Sequence, residues 1–290
     1  MTDGGPLLVV DAPSLLYRAF FALPPTLTDG SGRPVNALLG SLNMVMRVVA
    51  DYKPRAVVLA SGPDAADYRK EAYAPYHGDR PPVPDELAPQ FDDSPDFFAA
   101  MGWVWAYTAE YEADDLLHSF AVEEEKAGGT TLILTGDRDL FQCANESTTV
   151  LYVKTGTKGV EVVDPPEVRR RYGVDPEQVP DFIALRGDPS DGLPGAKGIG
   201  EKTAADLLKR HGTLEAALSA WSRERPPRVA GALRDQADEL RSFKDIATLR
   251  TLEVDLPPDT DTDFENGARA ARERGMEQLA GRLERAAGPA

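Results

Sequence analysis

Eight carboxylates fall in four places along the chain: Asp11 alone, Glu112 with Asp114 and Asp115, Asp137 with Asp139, and Asp188 with Asp191. Clustered carboxylates repel one another unless something cationic joins them. A pair of divalent ions does so, and two such ions are the usual machinery for hydrolysing phosphodiesters. Glu112, Asp114 and Asp115 stand where a helix over residues 116–126 would open, and i,i+3 spacing puts Glu112 and Asp115 on one face. Acids there also complement the helix dipole. That accounts for one or two of them, not for three plus acids at two strand ends.

The elements that must position these acids are short apolar runs. Leu7-Leu8-Val9-Val10 ends in Asp11, and residues 131–135 precede Asp137 and Asp139. With residues 56–59 and 150–153 they predict four buried strands. Leu38, Leu39, Leu42, Val45, Met46 and Val49 have helical spacing. Strands alternating with helices imply an α/β domain with a mostly parallel central sheet. Ligands bind beyond the carboxyl ends of such strands, so Asp11 and the Asp137/Asp139 pair are expected at one edge. Residues 62–96, rich in proline, read as a long loop-rich insertion of functional character. From about residue 165 charged helical segments replace strands. The expected domains are residues 1–175, carrying the sheet, and 176–290, an α-helical region.

The chain has 290 residues, 42% of them hydrophobic, enough for one large domain or two smaller ones. Cys143 is the single cysteine, so no intrachain disulfide forms, which fits a reducing cytosol. No apolar run nears the roughly 20 residues of a membrane helix, and the N-terminus lacks the pattern of a signal peptide. A soluble cytoplasmic protein is expected. The formal net charge of -16 opposes nucleic-acid binding by the molecule as a whole. A DNA partner therefore requires locally basic patches, and metal ions to offset part of the acid cluster.

Residues 187–203, Gly-Asp-Pro-Ser-Asp-Gly-Leu-Pro-Gly-Ala-Lys-Gly-Ile-Gly-Glu-Lys-Thr, are the most specific run. A P-loop needs Lys directly after its last Gly, and Glu201 stands there. A helix–hairpin–helix fits better. Gly198 and Gly200 are expected to make a tight turn whose N–H groups can hold one DNA phosphate, and the helix beginning near Lys202 and Thr203 would add its dipole. Lys197, Lys202, Lys209 and Arg210 against Glu201 and Asp206 make a basic patch within residues 192–212. Such a hairpin grips backbone without reading bases.

These residues resemble the 5′-nuclease (flap endonuclease) family, especially the 5′–3′ exonuclease domain at the front of bacterial DNA polymerase I. Val-Val-Asp11 with Leu-Leu-Tyr17-Arg18 looks like its first metal motif, and residues 32–40 like the segment after it. Tyr111-Glu112-Ala-Asp114-Asp115, Thr135-Gly-Asp137-Arg-Asp139-Leu-Phe-Gln142 and residues 187–195 complete the set, so the likeness runs from about residue 7 to 255. The resemblance implies a PIN-like nuclease domain, an arch over residues 62–96, and a helix–hairpin–helix (H3TH) region. It implies Mg²⁺- or Mn²⁺-dependent hydrolysis of DNA at a 5′ end or 5′ flap, in replication or repair. Asp11, Glu112, Asp114, Asp137 and Asp139 would hold two ions. Asp115, Asp188 and Asp191 would act near the second site or through waters. Arg18, Arg69, Arg80, Lys197, Gly198, Gly200, Lys202 and Thr203 would contact DNA, the hairpin would take a K⁺ ion, and Tyr17 and Phe20 would stack on an unpaired base. With no polymerase-like segment within the 290 residues, a stand-alone form is expected.

The pattern breaks twice. The family places an acid after the second strand where this chain has Gly62, with Asp64 two residues away. Its Tyr-Lys-x-x-Arg becomes Tyr76-His77-Gly78-Asp79-Arg80, which weakens electrostatic steering of the scissile phosphate. Residues 64–96 hold nine acids against three bases, so the arch would repel DNA, and high salt should weaken binding early. The alternative is a catalytically weakened, structure-specific DNA-binding protein of the same fold. A PIN-type ribonuclease is disfavoured because it needs no duplex-gripping hairpin. An Asp-nucleophile phosphatase is disfavoured because Asp11-Ala12-Pro13 lacks the Asp-x-Asp that this chemistry uses.

Overall fold

Successive side chains of a strand point to opposite faces, and in the computed structural model that alternation divides the core in two. The structure describes residues 4–154 and 159–288. Strand β1 (Leu7–Asp11) runs into helix α1 (Ala12–Ala22), and α2 (Asn36–Tyr52) leads to β2 (Ala56–Ser61). Two short helices, α3 (Asp67–Ala72) and α4 (Ala88–Ala99), precede β3 (Val104–Tyr107). Then come α5 (Ala113–Lys126), β4 (Thr131–Thr135), β5 (Thr148–Val153) and β6 (Val160–Val163). The sheet order is β3-β2-β1-β4-β5-β6, parallel except for β6, which is antiparallel to β5.

Leu7 and Val9 of β1 face one core with Val58, Ile133 and Val150, closed by α5 and the helices that follow the sheet. Leu8 and Val10 face the other with Leu59, Leu132 and Leu134, closed by α1, α2 and α4. The following helices are α6 (Pro165–Tyr172), α7 (Val179–Arg186), α8 (Glu201–His211), α9 (Leu214–Ser219), α10 (Pro227–Asp235) and α11 (Ala237–Ala247). A hairpin of α12 (Phe264–Glu273) and α13 (Glu277–Ala287) ends the described chain. Its Ala268, Ala271, Leu279 and Leu283 join the core of Leu8 and Val10, so residues 264–287 pack on the far face of the sheet from α7 and α8.

The four expected strands form. Two more, β3 and β6, lie at the sheet edges, where Val104, Tyr107 and Val162 stay exposed and the apolar signal is thin. Residues 62–96 are loop-rich as expected, with α3 and the first part of α4 set into them. Pro89 sits in the first turn of α4, where the N–H it lacks has no helical partner anyway.

Candidate active site

Asp11 is both the last residue of β1 and the N-cap of α1. Its Oδ1 accepts from Ser14 N–H at 3.0 Å, and its Oδ2 accepts from the Thr135 hydroxyl at 2.6 Å. Thr135 ends β4, and because β1 and β4 are neighbours that one bond joins the two strand ends. The Thr135 oxygen also accepts from Asp137 N–H at 2.9 Å, and Asp137 Oδ1 accepts from Asp139 N–H at 2.9 Å. Asp137 thereby holds the backbone of Asp139, the first residue of the tight turn over residues 139–143. Asp114, in the first turn of α5, approaches the same space.

Asp11, Asp114, Asp137, Asp139, Glu112 and Asp191 line one cavity of about 770 Å³ at the carboxyl edge of the sheet. Burial raises Asp11 above the ordinary carboxylate range. Burial, then the charges of Asp137 and Asp11, push Asp114 well up, and burial with Asp137 and Asp191 does the same to Asp139. Asp137 rises to about 6 through burial and the nearby Asp191. None of these four is in an ion pair among the described residues, and each is pushed toward its protonated form by burial, to which neighbouring acids add at Asp114, Asp137 and Asp139.

Glu112 and Asp115 stand differently. As the i,i+3 spacing requires, they share a face, and the buried Arg69 of α3 occupies it. Arg69 Nη1 lies 2.5 Å from Glu112 Oε2, and Nη2 lies 3.1 Å from Asp115 Oδ1. Glu112 also accepts from Ala66 N–H and the Tyr76 hydroxyl. Asp115, wholly buried, accepts from Tyr68, Arg250 N–H and Glu112 N–H. Every lone-pair direction of Asp115 is used inside the protein, and its side chain does not line the cavity. Arg69, expected to contact DNA, is 3% exposed and serves as the counterion of this acid pair. Arg69 also lines the cavity, with its guanidinium held by two buried carboxylates.

Asp188 and Asp191 also part company. Asp188 turns back on its own loop, bonding Arg186 at 3.0 Å and Ser190, and stays out of the cavity. Asp191 faces the cavity, with His77 Nε2 at 3.1 Å and Arg80 Nη2 at 3.2 Å from its Oδ1. Burial opposes its ionisation, but the His77 hydrogen bond and the Arg80 and Arg69 charges outweigh that and hold it below the usual range. Arg80 also pairs with Asp64 at 2.9 Å, so Asp64 stands at the cavity wall already matched to a cation.

Gly62 is a packing requirement. A Cβ there would sit 2.5 Å from Tyr111 O and 3.2 Å from Ala113 N. The end of β2 thus lies directly against the backbone that opens α5, and no side chain fits between them. Gly136 differs, because a Cβ there would fall 1.9 Å from Arg18 Nε, the far end of a flexible side chain that can move aside. Arg18 crosses that glycine to donate to Gly136 O at 2.8 Å, with its guanidinium 6.0 Å from the Tyr152 ring centre. Arg138, exposed between Asp137 and Asp139, lies over the same ring at 5.8 Å. It has no carboxylate partner among the described residues. Its place inside the Asp-Arg-Asp run was the signal that sequence reading passed over. Phe20 packs into the core of Leu8, whereas Phe21, 73% exposed, stands at the cavity mouth beside Tyr17 and Phe91.

The hairpin lies in the helical part. Ile199 is buried and anchors it, while Lys197, Gly198, Gly200 and Lys202 are exposed and Thr203 is half-buried. Gly198 has φ +76°, and neither Gly198 nor Gly200 has a neighbour within 4 Å of where a Cβ would stand. Gly200 is the N-cap of α8, and no side chain caps the first N–H groups of the helix.

The oxygen-only donor set suits a hard divalent ion. Among the described residues no three acids converge closely enough to hold an ion by themselves.

Fold and site together define a PIN-like, resolvase-type α/β domain joined to a helical SAM-fold domain. Family models described as "5'-3' exonuclease, N-terminal resolvase-like domain" and "5'-3' exonuclease, C-terminal SAM fold" match residues 6–173 and 174–268. The chain belongs to the 5′–3′ exonuclease family. Thermostable DNA polymerase I of Thermus thermophilus is 38% identical over 273 residues, covering 93% of this chain and 32% of that protein. DNA polymerase I of Bacillus subtilis is 35% identical over 251 residues, covering 87% and 28%. The chain thus spans about a third of the length of the curated relatives it matches. Among solved structures, T5 5′-exonuclease with bound zinc superposes with a TM-score of 0.68 at 15% identity, covering 97% of both chains. The catalytic core of Rad2 in complex with DNA substrate gives 0.63 at 13% identity, covering 97% and 92%. At these identities the likeness establishes the fold.

Proposed function

We propose that this protein hydrolyses DNA phosphodiester bonds at a free 5′ end or the base of a 5′ flap, using two Mg²⁺ or Mn²⁺ ions. The observation that carries the reading is the convergence of Asp11, Asp114, Asp137 and Asp139, with no ion pair to any of them among the described residues, around one cavity at the carboxyl edge of the sheet. Bound ions would supply an ionised water as nucleophile and stabilise the leaving oxygen. The acids named, with Asp191 and Glu112 at the cavity wall, would hold them. Thr135 and Ser14 keep Asp11 oriented, and Asp137 holds the backbone of Asp139. Arg18 and Arg138 offer cations beside the acids to a neighbouring phosphate. The exposed Gly198–Gly200 turn, Lys197, Lys202 and the open end of α8 would hold the continuous duplex strand, with K⁺ among the carbonyls of that turn. Likeness to T5 5′-exonuclease with bound zinc and to Rad2 with DNA supports this assignment by analogy.

The test is release of a labelled product from a 5′-labelled flap with Mg²⁺ or Mn²⁺, lost with Asp137→Asn. A second reading, a flap-binding protein with weakened catalysis, draws on Gly62 and on the cations already on Asp191. Tight flap binding without cleavage under any divalent ion would favour it.

A further inference from the structure

His77 occupies a position where sequence alone expects a steering cation. Instead its ring is nearly enclosed, with 5% side-chain exposure, and it joins three separate segments. Nδ1 lies 2.7 Å from the carbonyl oxygen of Asp64, in the loop after β2. That oxygen can only accept, so Nδ1 carries its hydrogen toward it. Nε2 lies 3.1 Å from Asp191 Oδ1, in the loop after α7; a carboxylate oxygen also only accepts, so this hydrogen bond requires Nε2 to carry a hydrogen as well. The ring stacks on Tyr76 at 3.9 Å between centres, and the Tyr76 hydroxyl donates to Glu112 at the mouth of α5. The backbone takes part too. His77 N–H donates to Asp191 O at 3.2 Å, and His77 has φ +54°, a left-handed conformation that non-glycine residues adopt only where their surroundings hold it.

The consequence lies in which oxygen of Asp191 is used. His77 and Arg80 both address Oδ1, and Oδ2 has no partner among the described residues. One oxygen is clamped and the other is left for a ligand in the cavity. We infer that His77 is a positioning residue that fixes the Asp191 carboxylate, so that its second oxygen is presented to a divalent ion. The inference rests on the metal-binding reading of the cavity. It assigns His77 a role through Asp191 and not a contact with the DNA phosphate. Groups that orient a metal-binding side chain typically change affinity by about 10–100-fold when removed.

The experiment is calorimetric titration of the full chain with Mn²⁺, comparing wild type, His77→Ala, His77→Gln, Asp191→Asn and the His77→Ala/Asp191→Asn double variant, with thermal melts for each. The inference predicts about 10-fold weaker Mn²⁺ binding for His77→Ala. His77→Gln, which keeps an N–H near the Nε2 position, recovers most of that loss. In the Asp191→Asn background His77→Ala has little further effect. Wild-type affinity in His77→Ala, or an equal loss with and without Asp191, overturns the role of His77 while leaving the metal reading standing. Absence of Mn²⁺ binding by the folded wild type overturns both.

Discussion

Thr135 donates its hydroxyl hydrogen to Asp11 across 2.6 Å and so ties the ends of β1 and β4 at the floor of the cavity. The same oxygen accepts from Asp137 N–H, so one side chain sets the spacing between the acid of the first strand and the pair after the fourth.

Replacing Thr135 with Val keeps the shape and removes both bonds. Buried donors or acceptors left unsatisfied cost about 1–3 kcal/mol each. Thr135→Val is expected to melt lower and to lose flap cleavage by an order of magnitude or more, while Thr135→Ser keeps most of both. Thermal melts and single-turnover rates check this, and an active, equally stable Thr135→Val contradicts it.

Arg69 separates a buried counterion from a DNA contact. Removing one partner of a buried ion pair typically costs about 3–5 kcal/mol. Arg69→Met should therefore fall sharply in denaturant midpoint, and changes in DNA binding should follow the loss of fold. A variant of unchanged stability with a selective loss of flap affinity would restore Arg69 to the DNA interface.

Gly62→Asp restores the acid that the sequence pattern leads one to expect. With Tyr111 O at 2.5 Å from a new Cβ, the end of β2 must move away from α5, an overpacking cost of about 1–3 kcal/mol. The expected result is lower stability and no gain in metal affinity, measured by urea unfolding and Mn²⁺ titration. A stable variant that binds Mn²⁺ more tightly would show that the backbone accommodates an acid here.

Asp137 gives the pH dependence a sign. Its folded value is about 6, raised by burial and by Asp191, above the ordinary value near 3.9 of an unfolded Asp. Between those values the folded state binds more protons than the unfolded one, so stability without metal falls as pH rises from about 4 to about 6. Asp11, Asp114 and Asp139 are raised too and act in the same direction. Divalent ions need the ionised acids, so Mg²⁺ should raise the melting temperature at pH 7 and have little effect near pH 4. Melting curves across this range, with and without Mg²⁺, check this; stability without metal that is flat or rises between pH 4 and 6 would contradict the raised values.

The acids of the cavity floor were legible because an apolar run that ends in an acid marks both a strand and its functional end. That logic reaches Asp11, Asp137 and Asp139. It does not reach the division between Asp114, which faces the cavity, and Glu112 and Asp115, which share Arg69. Spacing puts Glu112 and Asp115 on one face, but the cation that meets them comes from a separate helix, 43 residues from Glu112 in sequence. Gly62 was legible as a missing acid and not as a packing requirement, since its neighbour is the backbone at Tyr111. Phe20 and Phe21 are indistinguishable in composition. Only the packing of α1 decides that Phe20 enters the core and Phe21 the cavity mouth.

The central claim is that the cavity acids act through divalent ions on a DNA phosphodiester. Single-turnover cleavage of a 5′-labelled flap against Mg²⁺ concentration, for wild type, Asp114→Asn and Asp139→Asn, tests it most directly, with flap binding measured separately in Ca²⁺. Cleavage should vanish in chelator and rise more steeply than first order in Mg²⁺ for the wild type. Each variant should lose about 100-fold or more in rate while still binding the flap, the order of loss seen when one charge-stabilising group is removed from an active site. Cleavage that persists in chelator, or variants that cut at the wild-type rate, would contradict the account.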